Sequence, residues 1–153
     1  MADQKPPRFA GDERATLLAL WQYHRDSLLR KVEDVDDDAA RHSDLASGTS
    51  LLWLVNHLCV AETLWVLQRF AADDLAAPQG ATIAEAVAAY HATWQRVDAV
   101  VARHDLDDLC RGLDDRGPPA NLRWVVTHLL EETARHAGHA DILRERIDGA
   151  TGR

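Results

Sequence analysis

A chain of 153 residues, 46% of them hydrophobic, has the size of one domain (residues 1–153) that can bury a core of its own. Its formal charge of −8, from 25 acidic against 17 basic residues, argues against nucleic acid as a partner, because neutralising phosphates needs a basic face. No apolar run is expected to approach the roughly 20 residues of a membrane span. The N-terminus MADQKPPRFAG lacks the apolar centre of a signal peptide, and Cys59 and Cys110 form neither a CxxC pair nor a disulfide framework. The expected location is therefore the cytoplasm. Eight histidines are many for this length and lean towards metal.

Residues 1–11 read as an extended, proline-containing arm. Asp12 is a candidate N-cap for a first helix over Arg14–Val35, in which Leu17, Trp21, Leu28, Val32 and Val35 recur at helical spacing. His24 falls on that stripe and is read as a core histidine more readily than as a ligand. The acidic run Glu33–Asp38 reads as a solvated helix end, and residues 36–48 as a connection. A second helix opens at Thr49 or Ser50, both good N-caps, and runs to about Ala72. Leu54, Leu58, Ala61, Leu64, Trp65 and Gln68 line one side of it, with His57 inside the stripe. Cys59, about 200° around the helix from His57, packs as a small apolar residue.

Asp73–Ala81 contains Pro and Gly and breaks the helix. Extended, it would cover about 30 Å, enough for the third helix to run parallel to the second. That helix carries a capping box, Thr82 with Glu85, and an apolar stripe of Ile83, Val87, Tyr90, Trp94, Val97 and Val101. His104 lies at its end. Residues 105–120 form a loop rich in Asp and Gly.

Asn121–Ile147 reads as a fourth helix of about seven turns, closed by Gly149. With His136 as zero and ~100° per residue, Val125, Leu129 and Leu143 all fall within about 20°. Glu132 lies near −40°, His139 near −60° and His128 near −80°. Arg123, Arg135, Arg144 and Glu145 point mostly elsewhere, as a solvated face should. Burying an unpaired ionisable group costs on the order of several kcal/mol, so Glu132 and His136 in this stripe require a partner. At i and i+4 they can share a metal ion; the same spacing also suits a simple hydrogen bond.

Four helices with one apolar face each define an all-α protein built as a four-helix bundle, where sites form in the core from facing helices. If helices two and four are neighbours, His57 meets Glu132 and His136. Three protein ligands leave a position open for water or substrate, the pattern of a catalytic metal site. Zinc is the first expectation, with nickel or iron(II) also suited to two histidines and a carboxylate. His128 and His139 flank the triad and are placed at the pocket rim, as candidate catalytic groups that orient Glu132 or move a proton.

The segments SGTSLLWLVNHLCVAE (Ser47–Glu62) and NLRWVVTHLLEETARHAGHADILRERIDG (Asn121–Gly149), supported by WQYHRDSLLRKVEDV (Trp21–Val35), resemble the DinB-like metalloprotein superfamily. The likeness is strongest to its actinobacterial branch of small proteins. The resemblance implies an up-down-down-up bundle and a divalent metal held at the positions of His57, Glu132 and His136. The mycothiol-dependent maleylpyruvate isomerases are similar in having the glutamate, although a counterpart of their additional C-terminal domain is not expected here. Other relatives use mycothiol or bacillithiol, so a low-molecular-weight thiol is the implied cosubstrate, with an electrophile as second substrate.

Three functions fit these residues. A metal-dependent thiol S-transferase or isomerase would present a thiolate to an electrophilic carbon. A metal-assisted hydrolase would use His128 or His139 as proton shuttle. A non-catalytic metal-binding or dimerisation module would use the metal only to secure the bundle. Trp53 and Trp124 lie off the centres of the inward stripes and suggest a homodimer interface.

Overall fold

Every long helix starts at a side chain that satisfies one of its unpaired N–H groups, as free backbone donors at a helix start require. Asp12 accepts from the Ala15 amide and opens α1, Glu13–Arg30. Ser50 accepts from the Trp53 amide and opens α3, Leu51–Glu62, which continues as a π-helix over Thr63–Phe70. Thr82 and Glu85 form the expected capping box of α4, Ile83–Val101. Asn121 accepts from the Trp124 amide and opens α5, Leu122–Asp148, which ends at Gly149 in the left-handed region with φ 76°. A short α2, Asp37–Arg41, lies between α1 and α3. The computed structural model describes residues 4–8, 10–112 and 117–152. The parts of the expected N-terminal arm and of the 105–120 loop at 1–3, 9 and 113–116 lie outside the described residues. Among these described residues the chain is helical, with one isolated bridge between Leu109 and Asn121.

Two expectations are corrected, the end of α1 and the solvated placing of Arg144. The helix ends at Arg30, not Val35, and residues 31–34 form a turn with Asp34 at φ 59°. The carbonyls of Lys31 and Glu33 there accept from the Arg144 guanidinium, so Arg144, expected on the solvated face, is buried. The acidic run is solvated at a helix end as expected, with Glu33, Asp34, Asp36 and Asp38 exposed, and that end is the N-terminus of α2. Asp36 caps α2 by accepting from the amides of Asp38 and Ala39, where negative charge suits the helix dipole, and Asp37 accepts from the Ile83 amide across the structure.

The expectation that no segment approaches a membrane span is also corrected. Leu51–Phe70 is 20 residues long with a mean hydropathy of 1.3, long and apolar enough to cross a membrane, but 61% of that stretch is buried in the protein's own core. Its burial results from its central place, packed against α4 and α5. Leu54, Leu58 and Tyr90 share one core cluster with Leu28 of α1 and Leu143 of α5. Phe70, Val97, Val125 and Leu129 share the other with Trp21.

Between α1, α3 and α4 the core also holds charge. The Arg25 guanidinium donates to both oxygens of Glu62, at 2.9 and 2.5 Å, and the Tyr90 hydroxyl donates to Oε1 at 2.7 Å. Trp21 lies 3.8 Å beneath the same guanidinium. Burial pushes the Glu62 carboxyl above its usual range, and Arg25 and Tyr90 pull back against it. The amide of Asn56 clasps both the N–H and the carbonyl of Gly80 at 2.9 Å, tying the α3–α4 connection down beside the N-terminal half of α3. A Cβ at Gly80 would stand 2.0 Å from the Ala86 nitrogen, so only glycine fits this approach.

Candidate metal centre

His57 reaches the centre from α3, while Glu132 and His136 reach it from one face of α5, a single turn apart. Oε1 of Glu132 lies 3.1 Å from Nε2 of His57 and 3.1 Å from Nε2 of His136. One ligand atom from each residue falls within 4.8 Å of the others, a spacing that suits a shared metal ion. Two imidazole nitrogens and one carboxylate oxygen are a donor set for zinc or another divalent first-row ion with positions left for an external ligand. The residues present thus fit such an ion. His136 is buried, and His57 and Glu132 are half-buried at the open side.

The electrostatics favour deprotonated ligands. Burial opposes the charge on Glu132, yet the hydrogen bonds from His57 and His136 outweigh it and hold the carboxyl below its ordinary value. Burial pushes the His136 imidazole down, against the pull of Glu132. Arg135, otherwise exposed, sends Nη1 to within 3.2 Å of the second oxygen of Glu132. A neutral imidazole and an ionised carboxylate are the forms that bind metal.

The two flanking histidines have different surroundings. His139 is exposed, and its Nδ1 lies 3.2 Å from Nδ1 of His136, so it touches the nitrogen of His136 that faces away from Glu132. His128 instead lies between two indoles, stacked on Trp124 at 5.0 Å and edge-on to Trp65 at 4.8 Å. His24 is half-buried beside Tyr23 on α1. Cys59 is buried as expected and is also hydrogen-bonded, to Thr93 and the Pro78 carbonyl; burial raises its thiol pKa, which makes it a poor nucleophile.

Tryptophans take part in the site to an extent that the stripe analysis missed. Trp53 stacks on His57 with centroids 4.6 Å apart and planes 9° from parallel, and meets His136 edge-on at 6.1 Å. A pattern in the sequence carries this signal. Trp53–His57 and Trp124–His128 are both W-x-x-x-H pairs, and Trp21–Arg25 and Trp65–Arg69 are W-x-x-x-R pairs. At i and i+4 on a helix such side chains lie on one another, and all four pairs are in ring contact.

A helical fold with two histidines and a glutamate converging from two helices defines a candidate metalloprotein. The chain matches the family model of the mycothiol-S-transferases (MST) over residues 16–149. It belongs to that family, and with it to the DinB-like superfamily. Among curated proteins none matches it.

Proposed function

We propose that the protein is a metal-dependent S-transferase that joins a mycothiol-type thiol to an electrophilic carbon. The observation that carries this reading is the convergence of His57, Glu132 and His136 within one ion's reach in a chain of the mycothiol-S-transferase family. These three residues would hold the metal, zinc first among the candidates, with nickel or iron(II) as the others. The bound ion supplies Lewis acidity that lowers the pKa of a thiol at its open position. The S–H proton leaves, the sulfur lone pair forms the S–C bond, and a leaving group departs with the electron pair of the bond it breaks. An isomerase would instead expel the same thiol after the substrate has rearranged.

The chain's own residues prepare that step. Arg135 and the two imidazoles keep Glu132 ionised, and His139 fixes the orientation of His136 through its Nδ1. Standing exposed at the rim, His139 is also the group that relays the thiol proton to solvent. Trp53 covers one face of His57 and shields the centre from water on that side. No protein thiol is needed as nucleophile.

The same reading places the four long helices in an up-down-down-up bundle. Contacts of Glu13 with Arg123, Trp21 with Thr133 and Lys31 with Asp141 support α1 beside α5 in the same direction. His57 with Glu132 and Trp65 with Trp124 support α3 against α5 in the opposite one. Cys59 with Thr93 and Phe70 with His104 support α4 following the direction of α3. We place the protein in the cytoplasm, where a reduced low-molecular-weight thiol is at hand. A homodimer through the half-exposed Trp53, with Trp124 left to line a cleft, is part of the proposal, and light scattering at the monomer mass of 17.0 kDa would remove it.

The test is elemental analysis of protein purified without a histidine tag, followed by a conjugation screen of thiols against electrophiles. Stoichiometric divalent metal and thiol-dependent conjugation that a chelator abolishes are the expected results. Metal-free protein with full conjugation would overturn the reading.

A further inference from the structure

The π-helix over Thr63–Phe70 that continues α3 turns Trp65 closer to the face of His57. Were α3 regular throughout, Trp65 would stand about 80° from His57 around the axis. With i→i+5 bonding from Thr63 each residue turns the chain by roughly 80° instead of 100°, which brings Trp65 to about 40° from His57. Both side chains then face α5: His57 meets Glu132, and two turns along Trp65 meets Trp124 at 5.1 Å and His128 at 4.8 Å. The π-helix thus extends the groove of the metal centre with a pair of indoles.

Those indoles wall a cleft of about 850 Å³, completed by Leu109, Cys110, Pro118 and Ala120 and by Arg69 and Arg111, with the Arg69 guanidinium 4.2 Å over the Trp65 ring and Trp124 the more open of the two. Its volume and mostly apolar lining suit a small molecule. Indole faces are electron-rich and prefer stacked or edge-on partners with the opposite quadrupole. Trp124 is 48% exposed, so part of its ring is open to a ligand. His128 touches both indoles behind the cleft and lies one helical turn, about 6 Å, before Glu132 on α5.

We propose that this cleft seats a planar, electron-poor conjugated ring, the electrophile of the transfer reaction, with Trp65 and Trp124 as its specificity-determining residues. The assignment of the ring as a substrate rests on the S-transferase reading; the ring's binding does not. A molecule that accepts a thiolate at carbon is electron-poor by its nature, which is the complement of an indole face. Seated on Trp124 and Trp65, it would extend past His128 towards the triad.

Calorimetric titration of the full-length chain with 4-nitrobenzyl alcohol, an unreactive electron-poor ring, tests the cleft. Cyclohexylmethanol, a saturated ring without the nitro group, is the control. The ring is expected to bind at least about ten-fold more tightly than the saturated compound. Trp65→Leu and Trp124→Ala should each weaken the ring by about ten-fold, and His57→Ala should leave it unchanged. Trp124 is half-exposed, so its variant carries the test if Trp65→Leu does not fold. Equal affinity for the two compounds, or undiminished ring binding by Trp124→Ala, overturns the proposal. Loss of thiol conjugation with ring binding intact strikes the S-transferase reading alone. Loss of ring selectivity with conjugation intact strikes the cleft alone.

Discussion

Nε2 of His57 stands 3.1 Å from Oε1 of Glu132, although the two are 75 positions apart in the chain and belong to different helices. The contact joins the middle of α3 to the middle of α5 at the level of His136, and it makes a separate residue pair on α5 into a three-sided donor set.

If that set is the metal site, His57→Ala, Glu132→Ala and His136→Ala should each abolish stoichiometric metal. His91 contacts Trp94, and His104 is paired with Asp108, so His91→Ala and His104→Ala should keep it. Mass spectrometry of the purified variants for metal content makes the comparison. A fully loaded His57→Ala would remove the site as described.

The flanking histidines should separate. His139 touches Nδ1 of His136, and losing such a supporting contact typically costs about 10–100-fold in metal affinity or activity. His139→Ala should therefore still load at saturating metal but release it to a chelator at a lower concentration. His128 is held between Trp65 and Trp124, so His128→Ala should leave chelator resistance unchanged and raise KM for the electrophile. Competition with a chromophoric chelator, run beside steady-state assays, distinguishes the two. Identical behaviour of both variants would contradict the division.

The Arg25–Glu62 pair is buried on both sides, with 2% and 0% of its side chains exposed. Removing one partner leaves the other charge buried alone, so Arg25→Met should cost about 3–5 kcal/mol of folding stability. Replacing both, as Arg25→Met with Glu62→Leu, should recover a large part of that loss. Urea unfolding of the two variants gives the comparison; a double variant less stable than the single one would refute the pairing argument.

Metal-free protein should lose stability as the solution is acidified. Burial holds the His136 pKa below its ordinary 6.5, so below that value the unfolded chain binds a proton that the folded chain resists. The contribution is complete above about 6.5 and is lost as pH falls through the depressed folded value. Urea midpoints of chelator-treated protein should drop between neutral and mildly acidic pH, and His136→Asn should flatten that drop. An unchanged slope in the variant would place the dependence elsewhere.

Much of this protein is determined along single helices. The capping box of Thr82 and Glu85, the caps at Asp12 and Ser50, and the terminator Gly149 are local hydrogen-bond or backbone choices, and all stand where the sequence indicates. The inward stripe of α5, with Val125, Leu129, His136 and Leu143 buried together, comes from a period of 3.6 residues. Tertiary structure decided what periodicity does not contain. An unbroken wheel puts Trp65 at the edge of the stripe that holds His57, about 80° away; the π-helical turn over Thr63–Phe70 narrows that angle. Arg144 looks solvated on its own helix; it is buried because the frayed end of α1 offers it two carbonyls. Arg25 and Glu62 lie 37 positions apart; Trp21 and Gln22 touch Arg25 along its own helix, but nothing on α1 or α3 alone pairs the two charges. Whether His57 meets Glu132 is likewise a matter of which helices are neighbours. That choice depends on burying all the apolar faces at once, a condition on the whole chain that no single stretch can express.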